Sequence, residues 1–366
     1  MHFSIAMPVC RQAHFLPLAL KSIRAQAQDV ELAVMDATPD SSVLNVLEEY
    51  RDLLSYHRHG ADEGQASAIQ EGWNNTHGEI LAWLCADDYY FPYTLDEVKK
   101  AFTSHPDVDV IYGDSVLVDE DGRFLKYFPT LDGDISSILE GCCISQPSCF
   151  VRRTALERVG SLNSTLHYTM DWDLWTRLYR SGEKFHYLNK PLSVVRMYKG
   201  TKTSSRSLRR FLEIGRHLYR NAPLAIAAKS LLGFYYEDLS TCQVTGLERF
   251  LLKLLQFFHR QKRRLKSSKG VGDRCNYGLS QYQNTVQAQT VVYLPWYKQV
   301  CPVAVKISCD LEIAPEIYLN GIKLSVKNGS RFYCEIPPLD LPLRLLELRL
   351  SSQANGIWHL HGVAFE

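Results

Sequence analysis

The chain has 366 residues, 46% of them hydrophobic, which is enough apolar sequence for two or three domains with buried cores. Its 41 Lys and Arg nearly balance 40 Asp and Glu, so the formal net charge of +1 gives no indication of nucleic acid binding. Ten Cys without CxxC spacing argue against a zinc or disulfide framework, and residues 1–7 lack the pattern of a secretory signal, so we expect a protein of the reducing cytoplasm.

The N-terminal part alternates short apolar runs with segments of helical spacing. The pattern predicts strands at residues 3–7, 31–35, 54–58 and 80–84. It predicts helices at residues 16–26 and 66–75, and between them a helix that ends at residue 50. Pro8 is expected to end the first strand, at a loop that turns over the sheet. Alternating βα units of this length predict an α/β fold with a doubly wound, mostly parallel sheet and helices on both faces.

Carboxylates follow three of these strands. The second strand is followed by Asp36 and Asp40, the third by Asp62, and the fourth by Asp87 and Asp88. Because the carboxyl ends of parallel strands meet at one edge of a sheet, we expect these acids to face a shared, hydrogen-bonding ligand. A nucleotide fits, with the acids after the second and third strands reading its base and ribose. The alternative is that each Asp caps the helix that follows it.

Asp87 and Asp88 would repel each other unless a cation or a hydrogen-bonding ligand held them. Carboxylate oxygens suit Mg²⁺ or Mn²⁺, which complete their coordination with waters and phosphate oxygens. We therefore predict a metal-bridged diphosphate site, with Asp88 as metal ligand and Asp87 as a nucleotide contact. For the dipeptide alone, a solvated turn or a helix cap is the alternative.

Three segments of this half resemble the family 2 glycosyltransferases with the GT-A fold, in order and in spacing: FSIAMPVCRQAHFLPLALKSIRAQ, LAVMDATPDSSV and DEGQASAIQEGWNNTHGEILAWLCADDYYFP. The resemblance covers roughly the first 200 residues. It implies a nucleotide-sugar donor of UDP, GDP or dTDP type and a Mn or Mg cofactor. The nucleotide-binding residues it implies are Pro8, Asp36, Asp40, Asp62, Gln65 and Asp87, with Trp83 as a further donor contact. Two positions depart from the family: Cys10-Arg11 replaces a usual Tyr-Asn pair, and Cys85 replaces a frequent Asn or Asp.

Beyond the acid pair, a strand is predicted at residues 108–112 and a hairpin turn at residues 119–122. The segment GCCISQPSCF, residues 141–150, resembles the acceptor side of the family, with Gln146 as a candidate contact.

The segment MDWDLWTRLYRSG has the apolar spacing of a helix, with Asp171 and Asp173 in its first turn. In the resembling family, an acid at the position of Asp171 is the catalytic base, so we predict that Asp171 removes the proton of the acceptor hydroxyl. Asp173 is predicted to be structural or an acceptor contact. The alternative is that both acids only interact favourably with the helix dipole.

Residues 191–203 resemble the flexible loop that closes over the donor diphosphate, and Arg196 and Lys202 are candidate sources of positive charge. A solvated basic loop is the alternative. With this loop the predicted catalytic domain, residues 1–204, is complete.

Two further regions follow. Residues 205–270 have helical spacing, and residues 247–269 combine an apolar stripe with a basic side. Such a segment suits peripheral contact with an anionic membrane, which in turn suits a lipid-linked acceptor; packing of the stripe on the catalytic domain is the alternative. No apolar run reaches the roughly 18 residues of a membrane-spanning helix.

Residues 271–366 read as about seven strands of an all-β sandwich. A sandwich attached to a glycosyltransferase suggests carbohydrate binding, with Trp296, Tyr297 or Trp358 as stacking platforms. The alternative is that these aromatic rings belong to the core.

Together these features predict an inverting, metal-dependent hexosyltransferase of polysaccharide biosynthesis that acts at the cytoplasmic face of a membrane. It would transfer a sugar from a nucleotide diphosphate donor to a glycan or lipid-linked glycan. The alternative from another class is a non-catalytic nucleotide-sugar or glycan-binding protein on a degenerate glycosyltransferase fold. A nucleotidyltransferase would need a basic, Gly-rich triphosphate loop, which we do not find in the sequence.

Overall fold

The computed structural model describes residues 1–131, 134–202 and 207–240 and, in the C-terminal part, residues 275–277, 279–280, 284–286, 289–298, 300–311, 315–327, 331–339, 344–352 and 358–366. The basic segment predicted at residues 247–269 lies outside the described residues. Within the described ranges, no helix is both long enough and apolar enough to cross a bilayer.

The first half alternates strands and helices as predicted. Its elements are β1 (Phe3–Val9), α1 (Leu16–Arg24), β2 (Val30–Asp36), α2 (Ser42–Glu48), β3 (Leu54–His59), α3 (Gln65–Asn74), β4 (Ile80–Trp83), β5 (Tyr89–Tyr90) and α4 (Thr94–Ser104). Strands β4, β1, β2 and β3 pair in parallel in that order, which confirms the predicted parallel core of the sheet.

The predicted strand end at Pro8 is wrong, because β1 continues to Val9 and Pro8 pairs in register with Met35 of β2. On the other side of β1, the last backbone hydrogen bond joins Leu84 N to Ala6 O, since β4 has ended at Trp83. In a strand, residues two apart direct their backbone groups to the same side. The missing N–H of Pro8 therefore falls where no partner strand remains, and the proline is tolerated.

The second half of this sheet is mixed. Its elements are β6 (Val110–Val118), β7 (Phe124–Tyr127), β8 (Cys149–Arg152), α5 (Arg153–Val159), α6 (Met170–Arg180) and β9 (Phe185–Arg196), followed by α7 (Leu208–Asn221) and α8 (Leu224–Ser240). Strand β8 joins β4 to β6 in antiparallel pairing, and the predicted turn at residues 119–122 connects β6 to antiparallel β7. Residues 191–196, predicted as part of a flexible loop, instead form the end of β9, because they pair in parallel with β6.

The C-terminal region is all-β. Its strands are β10 (Cys275–Asn276), β11 (Leu279–Ser280), β12 (Thr285–Val286), β13 (Gln289–Pro295), β14 (Ala304–Cys309), β15 (Glu316–Leu319), β16 (Ile322–Lys323), β17 (Val326–Lys327), β18 (Arg331–Glu335), β19 (Leu345–Ser351) and β20 (Trp358–Phe365). Strands β13, β19, β15 and β16 form one antiparallel sheet. The other sheet is continuous with the N-terminal sheet, because β20 pairs with β7 through Val363 and Phe124.

The predicted stacking platforms of the C-terminal region are wrong. Trp296 and Trp358 are only 8% and 2% exposed, and both belong to a hydrophobic cluster that includes Phe91 and Phe124 from the N-terminal part. Tyr297 packs against the same cluster and donates a hydrogen bond to Tyr90 O at 2.6 Å. These three rings therefore hold the two regions together and are not available to stack on a ligand.

Tyr127 bridges the two regions at the edge of the second sheet. Its hydroxyl donates to Val291 O at 3.0 Å and accepts from Tyr293 N at 3.1 Å, so it satisfies backbone groups on the free edge of β13. The side chain is 3% exposed, and water cannot easily replace these bonds.

We predict that Tyr127→Phe lowers the free energy of unfolding by about 1 kcal/mol, because it removes the partner of the carbonyl of Val291 and of the amide of Tyr293, two half-buried residues. Urea unfolding followed by circular dichroism measures this change. Tyr219→Phe is the matched control, since Tyr219 is 49% exposed, and it should leave the unfolding midpoint unchanged. An equal effect of the two substitutions would contradict this account of the interface.

Candidate active site

Asp87 and Asp88 lie in the turn that follows β4, where Asp88 N donates to Cys85 O at 3.1 Å. Both side chains are buried, with exposures of 8% and 7%. This position is the carboxyl end of the parallel strands, as the sequence predicts. The two acids are thus held side by side where water solvates them poorly.

Each carboxylate accepts a hydrogen bond from a group that the fold holds in place. Asp88 Oδ1 accepts a hydrogen bond from Arg196 N at 3.0 Å, and Asp87 Oδ2 accepts one from Tyr198 OH at 3.0 Å. Gln12 Nε2 in turn donates to Tyr198 OH at 3.3 Å. Burial raises the pKa of both acids, and the charge of Asp87 raises the pKa of Asp88 further. The pair is therefore poorly compensated by its protein neighbours.

The donor atoms present here fit a divalent cation. Carboxylate oxygens of Asp87 and Asp88 and the Sγ atom of Cys85 all lie within 4.8 Å of one another. Burial raises the pKa of the Cys85 thiol well above its usual value, so the sulfur is protonated and is a poor ligand for a hard cation. Two carboxylates that leave the other coordination positions to water and phosphate suit Mg²⁺ or Mn²⁺.

Arg196 is fixed within the protein and is not carried on a flexible loop. Its side chain is 6% exposed, its guanidinium lies 4.6 Å from the ring centre of Phe15, and it donates to Glu120 O at 2.6 Å and to Asp87 O at 3.4 Å. Its backbone N–H holds Asp88. Its positive charge acts to lower the pKa of both acids.

Three predicted contacts meet around Cys85. Lys202 Nζ donates to Gln65 Oε1 at 2.7 Å, and Gln65 Nε2 donates to Cys85 Sγ at 3.2 Å. On the other side, Cys85 Sγ donates to Gln146 Oε1 at 3.7 Å, and Gln146 Nε2 donates to Trp83 O at 2.6 Å. This chain of hydrogen bonds connects the residue 197–202 segment to the acid turn.

Trp83 is not a ligand contact. Its side chain is 1% exposed and stacks on Trp175, with ring centres 5.5 Å apart. Strand β4 directs this side chain into the core between the sheet and α6, so the prediction of a donor contact is wrong.

Asp171 occupies the first turn of α6 and is half-buried, with Oδ1 accepting from Trp172 N at 2.8 Å. Burial raises its pKa to about 6, although the hydrogen bond and the charge of Lys202 oppose this. Lys202 connects this helix start to the acid turn, because its Nζ donates to Gln65, which bonds to Cys85, and to the carbonyl of His167 at 3.5 Å.

Asp173 has a structural role. It forms an ion pair with Arg177 at 2.8 Å, and Arg177 donates to the carbonyls of Val159, Gly160 and Ser161. These contacts fasten α6 to the end of α5. Of the two roles predicted for Asp173, they match the structural one and not that of an acceptor contact.

The acids after β2 and β3 differ in exposure. Asp36 is fully buried and accepts from Thr38 N at 2.8 Å and from His59 Nδ1 at 2.7 Å, so it positions His59 and does not itself face a nucleoside. Asp40 is exposed and accepts from Ser42 N at the start of α2, as in the capping alternative. Asp62 is half-buried and accepts from Gly64 N at 2.9 Å.

Pro8, at the end of β1, is buried, so it does not present its ring to a nucleotide.

The sequence analysis missed three residues of this cleft. His59 could have been found, because it ends β3 at the same sheet edge as the acids. Tyr198 donates to Asp87, which lies 111 positions away, and Gln12 donates to Tyr198. Local sequence carries no signal for contacts between residues so far apart.

Comparison with known proteins gives a family match. Residues 4–160 match the family model described as Glycosyl transferase family 2. An uncharacterized glycosyltransferase of Rickettsia felis is 30% identical over 193 residues, which cover 48% of this chain and 31% of that protein. The O-antigen biosynthesis protein RfbC of Myxococcus xanthus is 29% identical over 184 residues, covering 49% and 14% of the two chains. The chain thus spans about a third of the length of the Rickettsia relative, or 31%.

Solved structures support the fold. The crystal structure of Staphylococcus aureus TarS 1–349 in complex with UDP-GlcNAc superposes with a TM-score of 0.50 at 17% identity, over 68% of this chain and 78% of that one. The longer S. aureus TarS structure gives a TM-score of 0.50 at 14% identity, over 92% of this chain and 72% of that one. At these identities the similarity shows the GT-A fold and nothing beyond it.

We predict that Asp171→Asn stabilises the protein at pH 8, by an amount on the order of 2 kcal/mol. An acid whose pKa rises from 3.8 to about 6 on folding binds its proton more tightly when folded, so its contribution to stability falls as the pH rises through that interval. The neutral Asn avoids this cost, and the advantage of the variant should disappear near pH 4. Urea unfolding at pH 8, 6 and 4 measures it, and a variant less stable than wild type at pH 8 would contradict the raised pKa.

Proposed function

We propose that this protein is an inverting, metal-dependent glycosyltransferase, because residues 4–160 match the model of Glycosyl transferase family 2. Its donor would be a nucleoside diphosphate sugar and its acceptor a hydroxyl of a glycan or a lipid-linked glycan. The donor class is supported by the fold shared with TarS, a protein crystallised with UDP-GlcNAc. A glycan acceptor is supported by the similarity to an O-antigen biosynthesis protein.

One observation carries the proposal: Lys202 lies between a paired and a single acid. Asp87 and Asp88 lie together in the turn after β4, and Lys202 Nζ donates to Gln65, whose amide bonds to Cys85 of that turn, and to the carbonyl of His167 in the turn that leads to Asp171. Inverting transfer needs negative charge in two places, one to hold a metal at the leaving diphosphate and one to accept a proton on the opposite side of the sugar.

Asp171 suits the role of general base. With a pKa of about 6 the carboxylate is mostly ionised near neutral pH, and it is a stronger base than an exposed Asp. Its Oδ1 atom is held by Trp172 N, which fixes the side chain and leaves the other oxygen for the acceptor hydroxyl. The proton of that hydroxyl would pass to Asp171 as the oxygen attacks the anomeric carbon.

Asp87 and Asp88 would hold the divalent cation, which when bound neutralises the charge that develops on the leaving diphosphate. Tyr198 and Arg196 N keep the two carboxylates oriented toward it. Lys202 lies between Gln65 and the carbonyl of His167, so it is placed near both acidic centres. Burial lowers the pKa of Lys202, with the neighbouring thiol and acids acting in the opposite direction.

Action at the cytoplasmic face of a membrane remains part of the proposal, through a lipid-linked acceptor. The alternative, a non-catalytic binding protein, requires no base. The raised pKa of Asp171, at the start of α6, supports the enzyme over the binding protein.

We predict that Asp171→Asn lowers turnover about 10²–10⁴-fold, because the acceptor hydroxyl loses its general base. A panel of UDP-, GDP- and dTDP-linked sugars with Mn²⁺ is assayed for release of the nucleoside diphosphate. The affinity for that diphosphate, measured by calorimetry, should stay close to wild type. Asp173→Asn, two residues further on the same helix, is the matched control and should retain turnover. Full activity in Asp171→Asn would assign the base to another residue.

We predict that Mn²⁺ raises the affinity of the wild-type protein for the diphosphate, and that Asp88→Asn reduces this gain about ten-fold or more. Calorimetric titration of UDP and GDP with and without Mn²⁺ measures the effect. Asp121→Asn, which removes an exposed acid in the turn after β6, serves as the control. Equal affinities with and without Mn²⁺ in the wild type would exclude the metal-bridged site.

A further inference from the structure

The segment before α6 carries backbone donors that need partners. The first N–H groups of a helix and of the turn that leads into it have no acceptor within the helix. Here these groups belong to His167, Tyr168 and Thr169, and Asp171 follows two residues later. The position of Asp171 therefore depends on what holds this turn.

A single carboxylate from α7 accepts all three amides. Glu213 Oε1 accepts from Tyr168 N at 2.6 Å, from Thr169 N at 2.7 Å and from Thr169 Oγ1 at 3.1 Å, and both its oxygens lie 3.1 Å from His167 N. Glu213 is 6% exposed. Burial by itself raises the pKa of Glu213, but the hydrogen bonds from Tyr168, His167 and Thr169 outweigh it and lower that pKa. The group is thus ionised, and its hydrogen bonds are charge-assisted.

We infer that Glu213 is a positioning residue for Asp171: from α7 it caps the start of α6 and so fixes where the base meets the acceptor. The inference rests on the proposed role of Asp171. Glu213 lies outside residues 4–160, so this contact comes from a part of the chain that the family match does not cover.

The packing of α7 makes the contact rigid. Ile214 and Leu218 are buried in the same core cluster as Trp172 of α6. The ring of His217 lies 4.3 Å from that of Trp172, and His217 Nε2 is 3.2 Å from Thr176 Oγ1. Burial lowers the pKa of His217 to about 4, so this ring is neutral and packs without charge. The two helices therefore form one unit, and Glu213 cannot shift without disturbing α6.

The charge of Glu213 also reaches Asp171, and it opposes ionisation of that acid. The other groups near the two acids are Lys202, the thiols of Cys85, Cys142 and Cys149, and the side chains of His167, Tyr168 and Arg209. Removing the Glu213 charge while keeping its shape should lower the pKa of Asp171. This shift reports how close the two charges lie, whereas kcat reports whether the base is correctly placed.

The test compares Glu213→Gln, Glu213→Asp and wild type in the full-length protein. Gln keeps one acceptor oxygen but loses the charge, whereas Asp keeps the charge on a shorter arm. The pKa of Asp171 is read from ¹³C carboxyl chemical shifts, with Asp171→Asn identifying the signal, and needs no substrate. In Glu213→Gln it should fall below its wild-type value of about 6, and in Glu213→Asp it should stay near that value.

Turnover with the active donor of the panel gives the second readout. Glu213→Gln should lower kcat about ten-fold or more through misplacement of the base, with the KM for the donor unchanged. Glu97→Gln is the control: Glu97 pairs with Lys190 and Lys100, and its loss should alter neither kcat nor the Asp171 titration.

The outcomes separate the two hypotheses. If Asp171→Asn is inactive but Glu213→Gln shows wild-type kcat and an unshifted Asp171 titration, the positioning role is overturned and the proposed function stands. If Asp171→Asn is active, the assignment of the base fails whatever Glu213 does. If Glu213→Gln does not fold, the kcat of Glu213→Asp decides. The shorter arm must displace the turn, so a lowered kcat is expected and a kcat equal to that of wild type would overturn the inference.

Discussion

The central constraint on this structure is the burial of two neighbouring carboxylates at the end of β4. Two like charges out of water are costly unless other groups or a cation compensate them. The surroundings of Asp87 and Asp88 supply one backbone N–H from β9, one tyrosine hydroxyl, the Gln12 amide and the charge of Arg196, and the pKa of both acids is still raised by burial. The two acids therefore keep incompletely compensated negative charge at this point, and much of the nearby structure directs their carboxylates into the cleft.

The elements around the pair are arranged accordingly. Strand β5, directly after the acids, pairs with β9, so the turn is fastened on both sides. Arg196 is fixed at the end of β9 by Phe15 and by the turn after β6. The side chains that remain near the opening, Lys202 and Gln65, bond to each other. The rigid groups thus hold the acids, while the polar side chains at the rim are the ones free to exchange partners with a ligand.

The sequence predicts the parts of this arrangement that depend on local pattern. Apolar runs with acids at their ends place β1–β4 and the Asp87–Asp88 turn, because strand period and turn chemistry act over a few residues. The donor contact of Trp83 was predicted wrongly, and the strand pairing that fixes Arg196 was not predicted, since these depend on stacking against α6 and on pairing with β6, contacts that are distant in sequence. Glu213 gives no signal at all, because a single Glu in an amphipathic helix looks like any solvated acid until the helix is docked.

The continuity of the sheet through β7 and β20 has a consequence for how such a protein can evolve. Val363 of β20 pairs with Phe124 of β7, and both regions contribute to one apolar cluster. Recombination that replaced the C-terminal region would expose that strand edge and part of a core, so a replacement would have to supply a matching strand and a matching apolar face.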